Sequence, residues 1–154
     1  MAISVDIPGR GTLDLEHLVL DVNGTLTNRG EIVDGVPERL SQLGSRIDVQ
    51  LLSADTFGAL ARVADELAAR SRVVTTGEEK ARFVWELGAE ACAAIGNGAN
   101  DAAMLEIAAL GISVVGPEGA AGAAIRAADV VCASIVDAFD LLLDERALVA
   151  TLRL

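Results

Sequence analysis

The chain of 154 residues has no tyrosine, one tryptophan, one histidine, two cysteines and three prolines. Each scarcity excludes a class of chemistry. His17 precedes an apolar run with no second imidazole and no acid and serine partners, so neither a catalytic triad nor a zinc site is supported, and a structural role is expected. Cys92 and Cys132 lie far apart, each inside an apolar run. They make no metal pair or disulfide framework and are expected to be buried thiols in a reducing compartment. Basic residues are few as well: 12 against 23 acidic ones give a formal charge of −11, which repels a phosphate backbone and leaves no stripe for nucleic acid. No apolar run approaches the ~20 residues of a membrane span. The start, MAISVDIPGRG, lacks the basic and apolar regions of a signal peptide. A cytoplasmic protein is the expectation. A P-loop of the form GxxxxGKS or GxxxxGKT is also missing, which excludes nucleotide use by that route.

What is present reads as one domain over residues 1–154, large enough to bury a full core. There is no internal repeat and no linker rich in Pro or Ser. Ile3, Val5 and Ile7 alternate before Pro8-Gly9-Arg10-Gly11, and Leu13 and Leu15 alternate after it, predicting a hairpin. Short runs over 18–21, 49–53, 72–75, 93–96, 112–115 and 130–133 predict strands. Helical spacing predicts helices between them: one with Pro37 near its start, one capped by Asp55 and carrying Phe57, Leu60, Val63, Ala64 and Leu67, then 78–87, 100–110, 118–127 and 141–152. Trp85, with Phe83, Val84 and Leu87, is expected to pack against the sheet. Near-continuous apolar strands alternating with helices predict an α/β fold, Rossmann-like and doubly wound, with a mainly parallel sheet covered on both faces.

In such folds ligands sit at the carboxyl ends of strands. Asp21, Ser53 and Gly96 fall at such ends. Asp21 is followed by Asn23, Gly24 and Thr25, which delivers a carboxylate to a tight turn. Ser53 offers a hydroxyl in "LLSAD", Lys80 a cation in "TTGEEKAR", and "IGNGANDAAML" sets Asn97, Asn100 and Asp101 on a loop opening a helix. A nucleophilic carboxylate, a hydroxyl, a lysine and an acidic loop make a phosphoryl-transfer set. Gly96 and Gly98 form a GxG after a strand, but the third glycine of a dinucleotide fingerprint is Asp101, which rejects that reading.

"DVNGTLT", "LLSAD", the lysine of "GEEKAR" and "GNGANDAAML" resemble, in order, the four motifs of the haloacid dehalogenase superfamily. The first and last are nearest to the phosphorylation domains of P-type ATPases, and the whole resembles soluble P-type ATPase-like proteins. The resemblance implies Asp21 as the nucleophile that forms an aspartyl-phosphate, with the backbone at Val22 and Asn23 cradling phosphoryl oxygens. Ser53 and Ala54 would contact the phosphate, and Lys80 would neutralise charge between it and Asp21. Asp21, the carbonyl of Asn23, Asn97 and Asp101 would hold Mg²⁺ through oxygen ligands. Gly24, Thr25, Gly96, Gly98 and Asn100 would support the two loops.

Two positions depart from the phosphatase pattern, both from acid to amide. Asn23 stands where those enzymes carry an acid/base aspartate, and it cannot move a proton, a contribution typically worth about 10² to 10⁴ in rate. Asn97 stands at a metal-binding aspartate and coordinates with less charge. P-type ATPases carry threonine at the first of these positions and still form aspartyl-phosphate, so the first half-reaction is expected to survive. Only the hairpin-like stretch 27–34 and one helix separate the first two strands of the sheet, and no lid follows Ser53, which matches the capless branch, whose members often close their sites by forming tetramers. The expectation is a slow Mg²⁺-dependent phosphatase on a small phosphomonoester or acyl phosphate, working as a homo-oligomer (dimer or tetramer) without nucleic-acid or membrane partners. The alternative is a phosphate- or partner-binding regulatory protein in which turnover is impaired.

Overall fold

The structure, a computed structural model, describes residues 1–54 and 58–154. A hairpin comes first: β1 (Ile3–Ile7) pairs antiparallel with β2 (Gly11–Leu15), and its alternation turns Ile3, Val5, Ile7, Leu13 and Leu15 inward. β3 (His17–Asp21) follows at once, and β4 (Thr27–Asn28) and β5 (Glu31–Ile32) make a second small hairpin beyond it. With β6 (Asp48–Ser53), β7 (Arg70–Val73), β8 (Cys92–Gly96), β9 (Leu110–Val114) and β10 (Val130–Cys132), β3 forms a six-stranded parallel sheet in the order β10-β9-β8-β3-β6-β7.

Helices cover both faces, as a parallel sheet with near-continuous apolar strands requires. α1 (Val36–Gly44) and α2 (Ala59–Leu67) lie on one face, α3 (Gly77–Leu87), α4 (Ala102–Ile107) and α5 (Gly122–Ala127) on the other, and α6 (Ile135–Leu143) and α7 (Glu145–Leu152) return to the first. The period of two along β3 divides the core: Leu18 and Leu20 join the larger cluster with Leu40, Phe139 and Leu142, while Val19 joins Phe83, Val84 and Met104. Cys92 is buried in the smaller cluster, which pushes its thiol up to about 11, and Cys132 is half-buried. Among the described residues no helix is long and apolar enough to cross a membrane.

Several expected boundaries move. The helix expected over 100–110 is a single 3₁₀ turn at Ala99–Asp101 followed by the short α4, and Leu110 opens a strand. That expected over 118–127 begins at Gly122, after a turn in which Gly119 bonds back to Gly116. That expected over 141–152 is two helices, because the Asp144 carboxylate accepts the Arg146 and Ala147 N–H groups and starts a new one. β7 runs two residues earlier than expected. Trp85 does not pack on the sheet: it is 73% exposed, whereas Phe83 and Val84 beside it are buried. α2 begins at Ala59 after Gly58, and Asp55 and Phe57, expected as its cap and first apolar residue, lie outside the described residues.

Candidate active site

The strand order reverses at β3: the chain runs outward through β6 and β7, then crosses to β8, β9 and β10 on the other side. Such a switch point leaves a crevice at the carboxyl ends of the strands. Asp21 ends β3, Ser53 ends β6 and Gly96 ends β8, and a cleft of about 480 Å³ opens there, lined by Asp21, Asn23, Ser53, Lys80, Asn97 and Glu118 among others.

Local sequence sets each group. After Asp21 the chain turns sharply, and the N–H groups of Thr25, Leu26 and Thr27 all point back to the Val22 carbonyl. The turn needs a glycine at position 24, where φ is +75°. Lys80 sits in the first turn of α3, which Thr76 caps by accepting the Glu79 N–H at 3.1 Å; the Glu79 carboxylate in turn accepts the Thr75 N–H at 2.9 Å. Gly77 lets this helix end approach the next loop closely: a Cβ there would stand 2.7 Å from the Asn100 carbonyl oxygen. The approach carries Lys80 to Asp101.

The Lys80 ammonium donates to Asp21 Oδ1 and to Asp101 Oδ1, both at 2.7 Å. Lys80 is 2% exposed, Asp21 7% and Asp101 0%, so a single cation faces two carboxylates with little water to screen them. Burial, and then the charge of Asp101, raise the Asp21 carboxyl to about 6 against the opposing pull of Lys80 and Thr25. Burial works against the charge on Lys80, but the two carboxylates outweigh it and hold its pKa above the usual range. Asp21 is therefore mostly ionised at neutral pH, as a nucleophile must be.

Asp101 Oδ1 accepts Lys80, its Oδ2 accepts the N–H groups of Asn97 and Gly98 at 3.0 and 2.9 Å, and it does not line the cleft. Buried under these bonds, it holds Lys80 to the loop over 97–101. Asn23 is exposed and donates from Nδ2 to Ser53 Oγ at 3.2 Å. Ala54, Gly98 and Asn100 also line the cleft, and Val22 is buried in the turn.

The oxygens that remain suit a hard cation. The Thr25 hydroxyl lies 3.0 Å from Asp21 Oδ2 and 3.3 Å from Asn97 Oδ1. One hydroxyl proton cannot serve both acceptors, so two buried oxygens converge where there is one donor. The pair consists of oxygens only, the kind of ligand Mg²⁺ takes, with Asp21 as its single anion. Among the described residues no three His, Cys, Asp or Glu side chains gather into a metal-binding group. Sequence reasoning missed Glu118. The signal for it was positional, since "GPEG" follows the end of β9 after one intervening residue, at the same edge of the sheet as Asp21.

The fold is that of haloacid dehalogenase-type hydrolases. A 3-deoxy-D-manno-octulosonate 8-phosphate phosphatase from Moraxella catarrhalis, solved with magnesium, phosphate and KDO, matches with a TM-score of 0.71 over 89% of this chain and 92% of that one, at 20% identity. A zinc-transporting PIB-type ATPase in its E2.Pi state matches with a TM-score of 0.67 at 26% identity, over 78% of this chain and 20% of that one. No family profile matches the chain. Two Methanocaldococcus jannaschii proteins are similar in sequence. "Uncharacterized protein MJ0073" is 53% identical over 60 residues, 39% of this chain, and the match spans 64% of that relative, less than two thirds of its length. "Uncharacterized protein MJ0072" is 49% identical over 39 residues, 25% of this chain and 89% of that protein, and the chain belongs to the same family as MJ0072.

Proposed function

We propose that this chain is a phosphoryl-transfer enzyme, a phosphatase working through Asp21 on a small phosphomonoester or acyl phosphate with the help of Mg²⁺. The observation that carries this reading is the buried arrangement of Asp21, Lys80 and Asp101 at the switch point of the sheet. The likeness in fold to phosphatases, one of them solved with magnesium and phosphate, supports it.

In this mechanism a carboxylate oxygen of Asp21 attacks phosphorus, the bond from phosphorus to the leaving oxygen breaks, and an acyl phosphate forms on Asp21. Water then attacks and returns the carboxylate and inorganic phosphate. Lys80 lies against Asp21 and offsets the charge that gathers there. Ser53, Ala54 and the backbone of Asn23 bind the phosphoryl oxygens, whereas the Val22 N–H is held by the Leu52 carbonyl at 3.2 Å, which takes Val22 out of the expected cradle. Asp21, the Asn23 carbonyl and Asn97 would hold a cation, which would further neutralise the transferred group. Asn23 moves no proton, so the substrate's leaving group departs without acid assistance, which favours acyl phosphates and acidic alcohols.

The connections from β3 to β6 hold only the β4–β5 hairpin and α1, and residues 54–58 alone join β6 to α2. Both support a capless core whose site is open, or covered by a neighbouring subunit in a dimer or tetramer. The same two amides, Asn23 and Asn97, favour a second reading: a phosphate-binding regulatory protein on this fold that has lost turnover. Phosphate release from p-nitrophenyl phosphate across a Mg²⁺ titration separates the two. Release that depends on Mg²⁺ and exceeds that of Asp21→Ala supports the enzyme; release equal to the Asp21→Ala background supports the binding protein.

A further inference from the structure

We propose that Glu118 supplies the second carboxylate of the cation site, restoring from a neighbouring loop the charge that Asn97 lacks. The proposal rests on the reading of the cleft as a cation-assisted phosphoryl site. Glu118 sits in the turn after β9, where the Gly119 N–H donates to the Gly116 carbonyl at 2.8 Å. Two bonds fasten this turn to Asn97: the Ala121 N–H donates to the Asn97 carbonyl at 2.8 Å, and Asn97 Nδ2 donates to the Gly119 carbonyl at 3.3 Å. Gly116 lies close over the nucleophile's turn, since a Cβ on it would stand 3.2 Å from the Gly24 carbonyl oxygen.

These contacts lay the Glu118 carboxylate beside Gly24. A Cβ built on Gly24 would meet Glu118 Oε2 at 2.3 Å and Asn97 Nδ2 at 3.4 Å, so both side chains border one point next to the Asp21 turn. Glu118 lines the cleft, is exposed, and among the described residues makes no hydrogen bond or ion pair. Its charge is thus unspent, whereas that of Asp101 is held by Lys80.

The amide at position 97 accounts for the arrangement. Asn97 Oδ1 faces the Thr25 hydroxyl, which it shares with Asp21, while Nδ2 donates to the Gly119 carbonyl. An aspartate there could not donate and would set a carboxylate oxygen against the Gly119 carbonyl. Asn97 therefore gives up a charge and gains a tie, and the loop so tied brings a carboxylate back to the same mouth. Affinity of oxygen sites for hard cations rises with the number of anionic ligands, so Asp21 and Glu118 together form a better site than Asp21 with neutral oxygens.

The test uses Mn²⁺ as the probe, followed by electron paramagnetic resonance of the free ion with Mg²⁺ in competition, on the wild type, Glu118→Gln and Glu106→Gln. Glu106 is exposed on α4 outside the cleft and controls for the change in net charge. The expected result is Mn²⁺ binding by the wild type, a loss of affinity of about tenfold or more in Glu118→Gln, and no change in Glu106→Gln. The melting temperature of metal-free Glu118→Gln should match the wild type. Equal affinity in Glu118→Gln overturns the role of Glu118 and leaves the cation-assisted reading standing. Failure of the wild type to bind Mn²⁺ overturns both.

Discussion

Lys80 and Asp101 meet at 2.7 Å with no exposed surface on the carboxylate and almost none on the lysine, and the same ammonium reaches Asp21 at an equal distance. Removing the cation leaves two carboxylates buried together. Lys80→Met is expected to destabilise the protein by about 3–5 kcal/mol and to abolish phosphate release. Urea denaturation checks the first; a variant within about 1 kcal/mol of the wild type would show that the cluster is far better solvated than its burial indicates.

The pH dependence of stability has a definite sign. The Asp21 carboxyl is raised from 3.8 to about 6, by burial first and then by Asp101. A carboxyl raised in the folded state contributes stability that is full below its unfolded value and lost as pH rises through its folded one. In EDTA, Asp21→Asn is therefore expected to melt above the wild type at pH 8, with the advantage shrinking as pH falls from 7 to 4. A lower melting temperature at pH 8, or an offset independent of pH, contradicts the assignment.

Restoring an acid at position 23 should restore proton transfer. Asn23→Asp is expected to raise turnover by up to about 10²-fold on an alkyl phosphate and by less on p-nitrophenyl phosphate, whose leaving group needs little acid help. Rates on the two substrates, measured side by side, decide it, and an equal effect on both would argue against a leaving-group role.

Asn97→Asp makes the opposite case. It adds a charge but removes the donor to Gly119, so the loop over 116–121 should loosen, at a cost of about 1–3 kcal/mol. Hydrogen exchange at the Ala121 amide, which donates to the Asn97 carbonyl, should quicken in this variant relative to the wild type. Unchanged protection would remove the reason given for an amide at this position.

Much of this was legible in the sequence because apolar runs of β-branched and aliphatic residues ended in polar ones. Leu18 to Asp21, Val49 to Ser53 and Ala93 to Gly96 announced both the strands and the sheet edge where Asp21 and Ser53 meet. Helix limits were less legible where a short polar side chain captures backbone N–H groups inside an apolar pattern, as Asp144 does between α6 and α7. Trp85 lies within a helical pattern, and only the packing of α3 shows that it faces outward. The roles of Asp101 and Glu118 depend on contacts between loops distant in sequence: Gly77 against Asn100, and Gly116 against Gly24. Spacing along the chain carries no record of such contacts. Asn97 was legible as a missing acid but not as a tie, since the partner of its amide is a backbone carbonyl 22 residues away.

Whether Asp21 accepts a phosphoryl group is decided by incubating the protein with acetyl phosphate and Mg²⁺, quenching in acid and reading intact and peptide masses. The expected result is the added mass of one phosphoryl group on the peptide that contains Asp21, and none in Asp21→Asn. No adduct on the wild type under conditions where phosphate is released, or an adduct that persists in Asp21→Asn, would contradict it.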